Sequence, residues 1–417
     1  MRIRVASPRQ LLLIIRAGIL CTIAVCCAGF SMAQDVPTGR IATVVPPAPE
    51  APELHSSATP DGFVFPEYSL AINLDTERRV VAVNQTVRWT NPGPLTANEL
   101  VFHVIPNNKP DDKTLFIAER TVESLRIDPR FSIDRKGRRF HLNTVQSGEN
   151  SLLWHFDSEH DTHLRIRLAR PVGLGETAEV TLNYWIDIPQ LMGRLGQHKG
   201  ITNLLNWYPV LATYGPSGWD AVPYIPWHQP WLNEAANYNV QLQINADQEV
   251  ATGGRVTGES IAEDGSRILQ INGVGLRDFT IVASNRFDVY ETAVNGIPVR
   301  VLALPEHQGQ ARLAMQVAAE SIRDYSEWFG PYAYDEFELV ESYFGWNGNE
   351  SSGLVMIDER ILDTPQIAGR YIEHLVSHEV CHQWWFSAVG TDGYREPWVD
   401  EGLAQWFTRV RMEDNHG

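Results

Sequence analysis

The sequence predicts a multidomain α+β protein: an antiparallel β-rich domain of saddle or sandwich type over residues 63–290, then a mixed α/β domain over residues 291–417. Three observations predict it. Short alternating or β-branched runs recur from Tyr68 to Ser284, with turn residues between them and no helical stretch of comparable length. From Ile297 the apolar spacing lengthens towards the helical period. The last fifty residues then hold two helical segments that carry a cluster of histidines and glutamates.

The chain opens with Arg2, Arg4 and Arg9, an apolar run from Leu11 to Phe30, and Ser31-Met32-Ala33. A basic start, an apolar middle and small residues at its end describe a secretory signal peptide, with cleavage expected after Ala33. Arg16 interrupts the run and disfavours a stable membrane span. The chain is therefore expected in the periplasm or outside the cell, with membrane attachment only if this segment is retained. Residues 34–62 are rich in proline and alanine without apolar periodicity, and are expected to form an extended linker.

Loss of residues 1–33, with their four arginines and no acidic residue, moves the formal net charge from −17 to −21. Such a surface repels nucleic acid and anionic membrane. Three of the four cysteines leave with the same segment, so Cys381 remains alone and no intramolecular disulfide can form.

Expected strands of the first domain are Tyr68–Leu74, Val80–Trp89, Leu100–Ile105, His163–Leu168, Ala178–Ile186, Tyr238–Ile244, Arg267–Ile271 and Phe279–Ser284. Asn91-Pro92-Gly93-Pro94 and Gly253-Gly254 punctuate them as turns. Aromatic residues cluster at Trp207-Tyr208, Trp219, Tyr224, Trp227 and Trp231. They suit an aromatic core beneath a long loop or, alternatively, a stacking platform for sugars. In the second domain, Val299–Leu304, Phe337–Ser342 and Leu354–Ile357 read as strands, and Gln310–Phe329 as an amphipathic helix stopped by Gly330-Pro331.

His378-Glu379-Val380-Cys381-His382 is an HExxH motif within a helical apolar pattern set by Ile372, Leu375, Val376, Cys381 and Trp385. Residues four apart on a helix lie about 40° apart around its axis, so the two imidazoles can converge on one zinc ion. Glu379, about 100° round the helix, stays off the metal but within reach of a water there. Zinc requires a third protein ligand and an open position. Glu401, eighteen residues after His382 in a second helical segment, is the candidate. Cys381 is expected to pack inward, His374 to lie near the site without ligating, and Gln383 and Asp400 to support the ligands.

HEVCHQWW, the eighteen-residue gap and WVDEGLAQWF together resemble the M1 family of metallopeptidases, the aminopeptidase N-like gluzincins. The resemblance covers about residues 63–417 and is strongest over 371–407. It implies a thermolysin-like second domain and one zinc per chain, held by His378, His382 and Glu401, with Glu379 as general base. Asn347-Gly348-Asn349-Glu350-Ser351-Ser352-Gly353-Leu354 stands where the family carries a Gly-Ala-Met-Glu-Asn motif. The resemblance thus puts Glu350 on the glutamate that binds a substrate's free α-amine, although Asn347, Asn349 and Ser351 depart from the pattern. It also points to the loop Gly193–Gly200 as a source of a polar substrate contact, with Gln197 the candidate. The family's oxyanion-stabilising tyrosine lies well beyond the third ligand, where no tyrosine is present. The catalytic domain is therefore expected to be incomplete at its C-terminus.

These features point to a zinc metallopeptidase acting on peptides or proteins, most simply an aminopeptidase. Two other readings stand beside it: a gluzincin with endopeptidase-like specificity, suggested by the altered surroundings of Glu350, and a zinc-containing module that binds peptide or carbohydrate without turnover.

Overall fold

The computed structural model describes residues 47, 50, 64–226, 233–363 and 369–417. Apart from Pro47 and Glu50, the expected signal segment and linker lie outside these residues, as do Trp227 and Trp231.

An eight-stranded sheet forms the largest layer. Its centre is Glu67–Asp75, paired in parallel with Ala236–Ile244 and antiparallel with Val80–Thr90. Thr177–Asp187 alternates buried and partly exposed positions along its length, the pattern of a strand with one face on a core. That core lies between this sheet and a four-stranded one containing Ala97–His103 and His163–Val172. Trp89, Trp207, Tyr208 and Tyr184 are fully buried there. Trp207 and Tyr208 are thus core residues, and Trp219 packs on Trp89 at 4.9 Å between ring centres. The sugar-platform reading loses these three rings to packing.

The β-rich region also contains a helix the sequence reading did not anticipate, α1 (Asp112–Ser124). Asp111 caps it by accepting from the Thr114 amide. Only Ala118 and Val122 of α1 are buried, while Phe116 and Ile117 face solvent, so no clean apolar stripe announces it.

A five-stranded mixed sheet forms the second half, in the order Asp288–Val294, Ile297–Ala303, Phe337–Ser342, Leu354–Asp358, Gly348–Ser351. The expected boundary at residue 290 falls inside its first strand, so the change of sheet comes earlier, after Ser284. Helix α2 (Gln308–Phe329) crosses between the parallel strands Ile297–Ala303 and Phe337–Ser342, and buries Ala311, Ala314, Ala318 and Ile322. Helices α3 (Gly369–Cys381) and α4 (Trp398–His416) pack beyond it. Leu302, Val340 and Met356 share one apolar cluster with Ile201, Ala251 and Val282 of the β-rich half, so burial of apolar surface joins the halves.

Two main-chain turns also meet directly. Gly353 adopts φ +76°, and a Cβ on it would strike the backbone of Gly253; a Cβ on Gly253 would strike the Ser352 carbonyl. Only glycine fits both positions.

Candidate metal centre and active site

Helix α3 turns Ile372, Leu375, Val376, Val380 and Cys381 into the core. Cys381 is fully buried, and burial raises its thiol pKa far above the ordinary range, so it packs as a small apolar residue. The opposite face carries His374 and His378 to a cleft of about 400 Å³, which Glu350, Glu379 and Glu401 also line. His382 follows in the turn that closes α3. Its Nδ1 lies 3.0 Å from the Trp385 carbonyl oxygen. A carbonyl can only accept, so Nδ1 carries the proton and the Nε2 lone pair faces His378 and Glu401.

His378 Nε2 lies 3.3 Å from His382 Nε2 and 3.2 Å from Glu401 Oε2, and His382 Nε2 lies 3.8 Å from the same oxygen. Two imidazole nitrogens and one carboxylate oxygen facing a common point form a donor set that a divalent cation such as zinc accepts. The residues fit the ion that the sequence implies. Glu401 stands in the first turn of α4, where its neighbour Asp400 is buried. Asp400 accepts from the Glu401 amide at 2.9 Å and from the Thr391 hydroxyl at 2.7 Å, which fixes the start of the helix. Further along, buried Arg411 donates to Asp324 of α2 and Ser377 of α3, holding α4 against both.

A second group shares His382. The carboxylates of Glu350 and Glu379 and the His382 ring nitrogen all lie within 4.8 Å of one another. Burial, with Glu350 and Glu401 as like-charged neighbours, raises the Glu379 carboxyl well above the ordinary carboxylate range. Its hydrogen bond to His378 lowers the Glu401 carboxyl instead. Glu350 sits on the edge strand Gly348–Ser351, antiparallel to Leu354–Asp358. Gly348 of that strand lies against Glu379, where a Cβ would collide with the carboxylate.

The structure does not bring Gln197 to this cleft. The segment expected as a loop is a hairpin, Leu195–His198 with Ile201–Leu204, turned by Lys199 and Gly200 at positive φ. Gln197 donates to the Thr76 carbonyl at 2.7 Å and to the Thr202 hydroxyl at 3.0 Å, so its amide is spent within the β-rich half. Arg194, just before the hairpin, lines the cleft in its place. Tyr371 lines it as well, while Tyr394 packs on the β-rich core. Gln383, expected near the ligands, joins α3 to the turn after Glu350. It donates to the Ser351 carbonyl and accepts from the Gly353 amide, both at 2.9 Å. His374 lies 3.2 Å from the Gln405 amide nitrogen, with its ring 6.4 Å from that of His378.

Residues 313–417 match the family model described as the peptidase family M1 domain, and this stretch contains Glu350 and the three candidate ligands. Aminopeptidase M1-B of Oryza sativa subsp. japonica is 27% identical over 135 residues, covering 30% of this chain and 15% of the relative. The human thyrotropin-releasing hormone-degrading ectoenzyme is 27% identical over 128 residues, covering 28% and 12%. The alanine/arginine aminopeptidase of Saccharomyces cerevisiae is 28% identical over 138 residues, covering 31% and 15%. The matches thus span 12–15% of the length of these relatives. Taken with the HExxH helix and the glutamate that meets it, they show that residues 313–417 are similar to the catalytic domain of the M1 metallopeptidases.

Proposed function

We propose that this protein is a zinc-dependent aminopeptidase that removes N-terminal residues from peptides. One observation carries the reading: Glu350, His378, Glu379 and Glu401 line a single cleft, and buried His382 lies within 4.8 Å of both the His378–Glu401 and the Glu350–Glu379 pairs. His378, His382 and Glu401 would hold the ion. Zinc held there would supply Lewis acidity for the scissile carbonyl and for the attacking water. Glu379 takes a proton from that water as its oxygen bonds to the carbonyl carbon, and returns it to the amine nitrogen as the C–N bond breaks. Its raised proton affinity suits the donating half of this cycle. Glu350, on an edge strand beside the base, pairs with the substrate's α-ammonium and sets which bond reaches Glu379.

Hydrolysis of aminoacyl-anilides and their N-acetylated counterparts by the zinc-loaded protein tests this, with Glu379→Gln as control. Cleavage of free-amine substrates only, lost in the variant, is expected. Equal cleavage of blocked substrates would replace the aminopeptidase by an endopeptidase-like enzyme, and zinc binding without any turnover would leave a binding module. The N-terminal segment supports export as a further proposal, for which sequencing of secreted protein should find a mature start at Gln34.

A further inference from the structure

Asp278 lies in the β-rich half, between the strands Arg267–Leu276 and Ile281–Ser284. Its carboxylate accepts from the Ser352 amide at 2.9 Å and from the Thr280 hydroxyl at 3.4 Å. Thr280 Oγ1 in turn lies 3.0 Å from Ser351 Oγ. Ser351 directly follows Glu350 in sequence, so these bonds end one residue from the carboxylate proposed to hold the substrate amine. Arg277 adds a main-chain donor to Ser352 Oγ at 3.0 Å, and its guanidinium reaches Ser387 O and Asn233 O, each at 2.8 Å. The turn after Glu350 is therefore gripped by Gln383 from the metal helix and by Asp278 from the β-rich half.

Holding a backbone amide requires an acceptor, and the neutral side-chain carbonyl of asparagine would serve. A carboxylate at this place faces a cost that asparagine would not. Desolvation, with Glu350 adding like-charge repulsion, pushes the Asp278 carboxyl up to about 6. The like charges of Asp278 and Glu350 would be relieved by a cation beside them, and an α-ammonium on Glu350 would be such a cation.

We propose that Asp278 is a positioning residue for the substrate amine. Through Ser351 and Ser352 it fixes the strand that bears Glu350, and its own charge deepens the negative field that receives the ammonium. This rests on the reading of Glu350 given above.

The test compares Asp278→Asn with the parent protein, both zinc-loaded, on free-amine aminoacyl-anilides. It also uses a competitive inhibitor in which the α-amine is replaced by a hydroxyl. The expected result is KM raised about tenfold with kcat within about twofold, because the lost interaction is one with the ground-state cation. The inhibition constant of the hydroxyl analogue should stay unchanged, which a merely structural role would not leave so. An unchanged KM, or equal weakening of both ligands, would overturn the proposal. Should Asp278→Asn fail to bind zinc or fold, Thr280→Val tests the same relay with the charge retained. A smaller rise in KM, about twofold, is then expected, and no rise would count against the relay. Failure of the parent reading looks different: Glu350→Gln would keep its preference for free-amine over acetylated substrates whatever Asp278→Asn does.

Discussion

Gly348 and Glu379 touch with nothing between them: the bare Cα of the edge strand forms the wall against which the buried carboxylate rests. Gly348→Ala should therefore displace Glu379 or the strand carrying Glu350. A shift of about 1 Å at a reacting group can cost roughly a hundredfold in rate. We expect a loss of kcat/KM of that order with zinc content unchanged, read by anilide hydrolysis and metal analysis in parallel. An alanine variant of full activity would show that the contact plays no part in placing the base.

Asp400 and Thr391 should act on the metal rather than on the chemistry. Thr391→Val removes the hydroxyl that holds Asp400 at 2.7 Å, and with it one restraint on the first turn of α4 and Glu401. Loss of such a supporting bond typically weakens metal affinity by about tenfold to a hundredfold. Competition with a zinc chelator should show this shift, and saturating zinc should restore activity.

Arg411 is expected to matter for stability. Its side chain is 1% exposed, surrounded by Asp324, Glu320, Glu373 and Ser377. Arg411→Met removes the buried cation that Glu320, Asp324 and Glu373 share, leaving Asp324 with Arg323 and Glu373 with His416, and breaking a buried pair from one side costs about 3 kcal/mol. Urea unfolding should show a lower midpoint with little change in slope.

The pH dependence of stability should carry the mark of Glu338. Burial raises its carboxyl to about 7, outweighing the opposing pull of Arg300 and of the Thr252 amide. In the unfolded chain the same group titrates near its ordinary value of 4.5. Between these values the folded state binds the extra proton, so this contribution is complete below about 4.5 and fades as pH rises through about 7. Glu338→Gln should flatten the fall in stability across that window relative to the parent, as measured by thermal melts from pH 4 to 8. A parallel pair of curves would show that Glu338 stays ionised throughout.

Much of the site was legible because helical geometry translates spacing into direction. The interval from His378 to His382, and the step to Glu401, specify three donors on facing helix surfaces. Strand alternation likewise located the strand from Val80, which alternates from Val83 onward, and the nearly unbroken buried run from Tyr68 located the central strand beside it. What stayed hidden depends on contacts without periodic signature. The Asp278–Ser352 bond spans 74 residues of sequence, and nothing in either neighbourhood announces the other. Glu350 stands on a four-residue strand of Gly, Asn, Glu and Ser, whose composition reads as loop until its partner strand is in place. Gln197 was misplaced because a four-residue strand of the hairpin turns its side chain towards Thr76 and Thr202, while Arg194, just before that strand, is left at the cleft.

The glycine-to-glycine contact between residues 253 and 353 makes the turn after Glu350 a joint product of the two halves. Neither turn has room for a methyl group, so insertions or side chains at either point would pry the halves apart at the edge of the cleft. A mixed-sheet half expressed alone would keep its ligand residues yet lack the scaffold that aims Glu350.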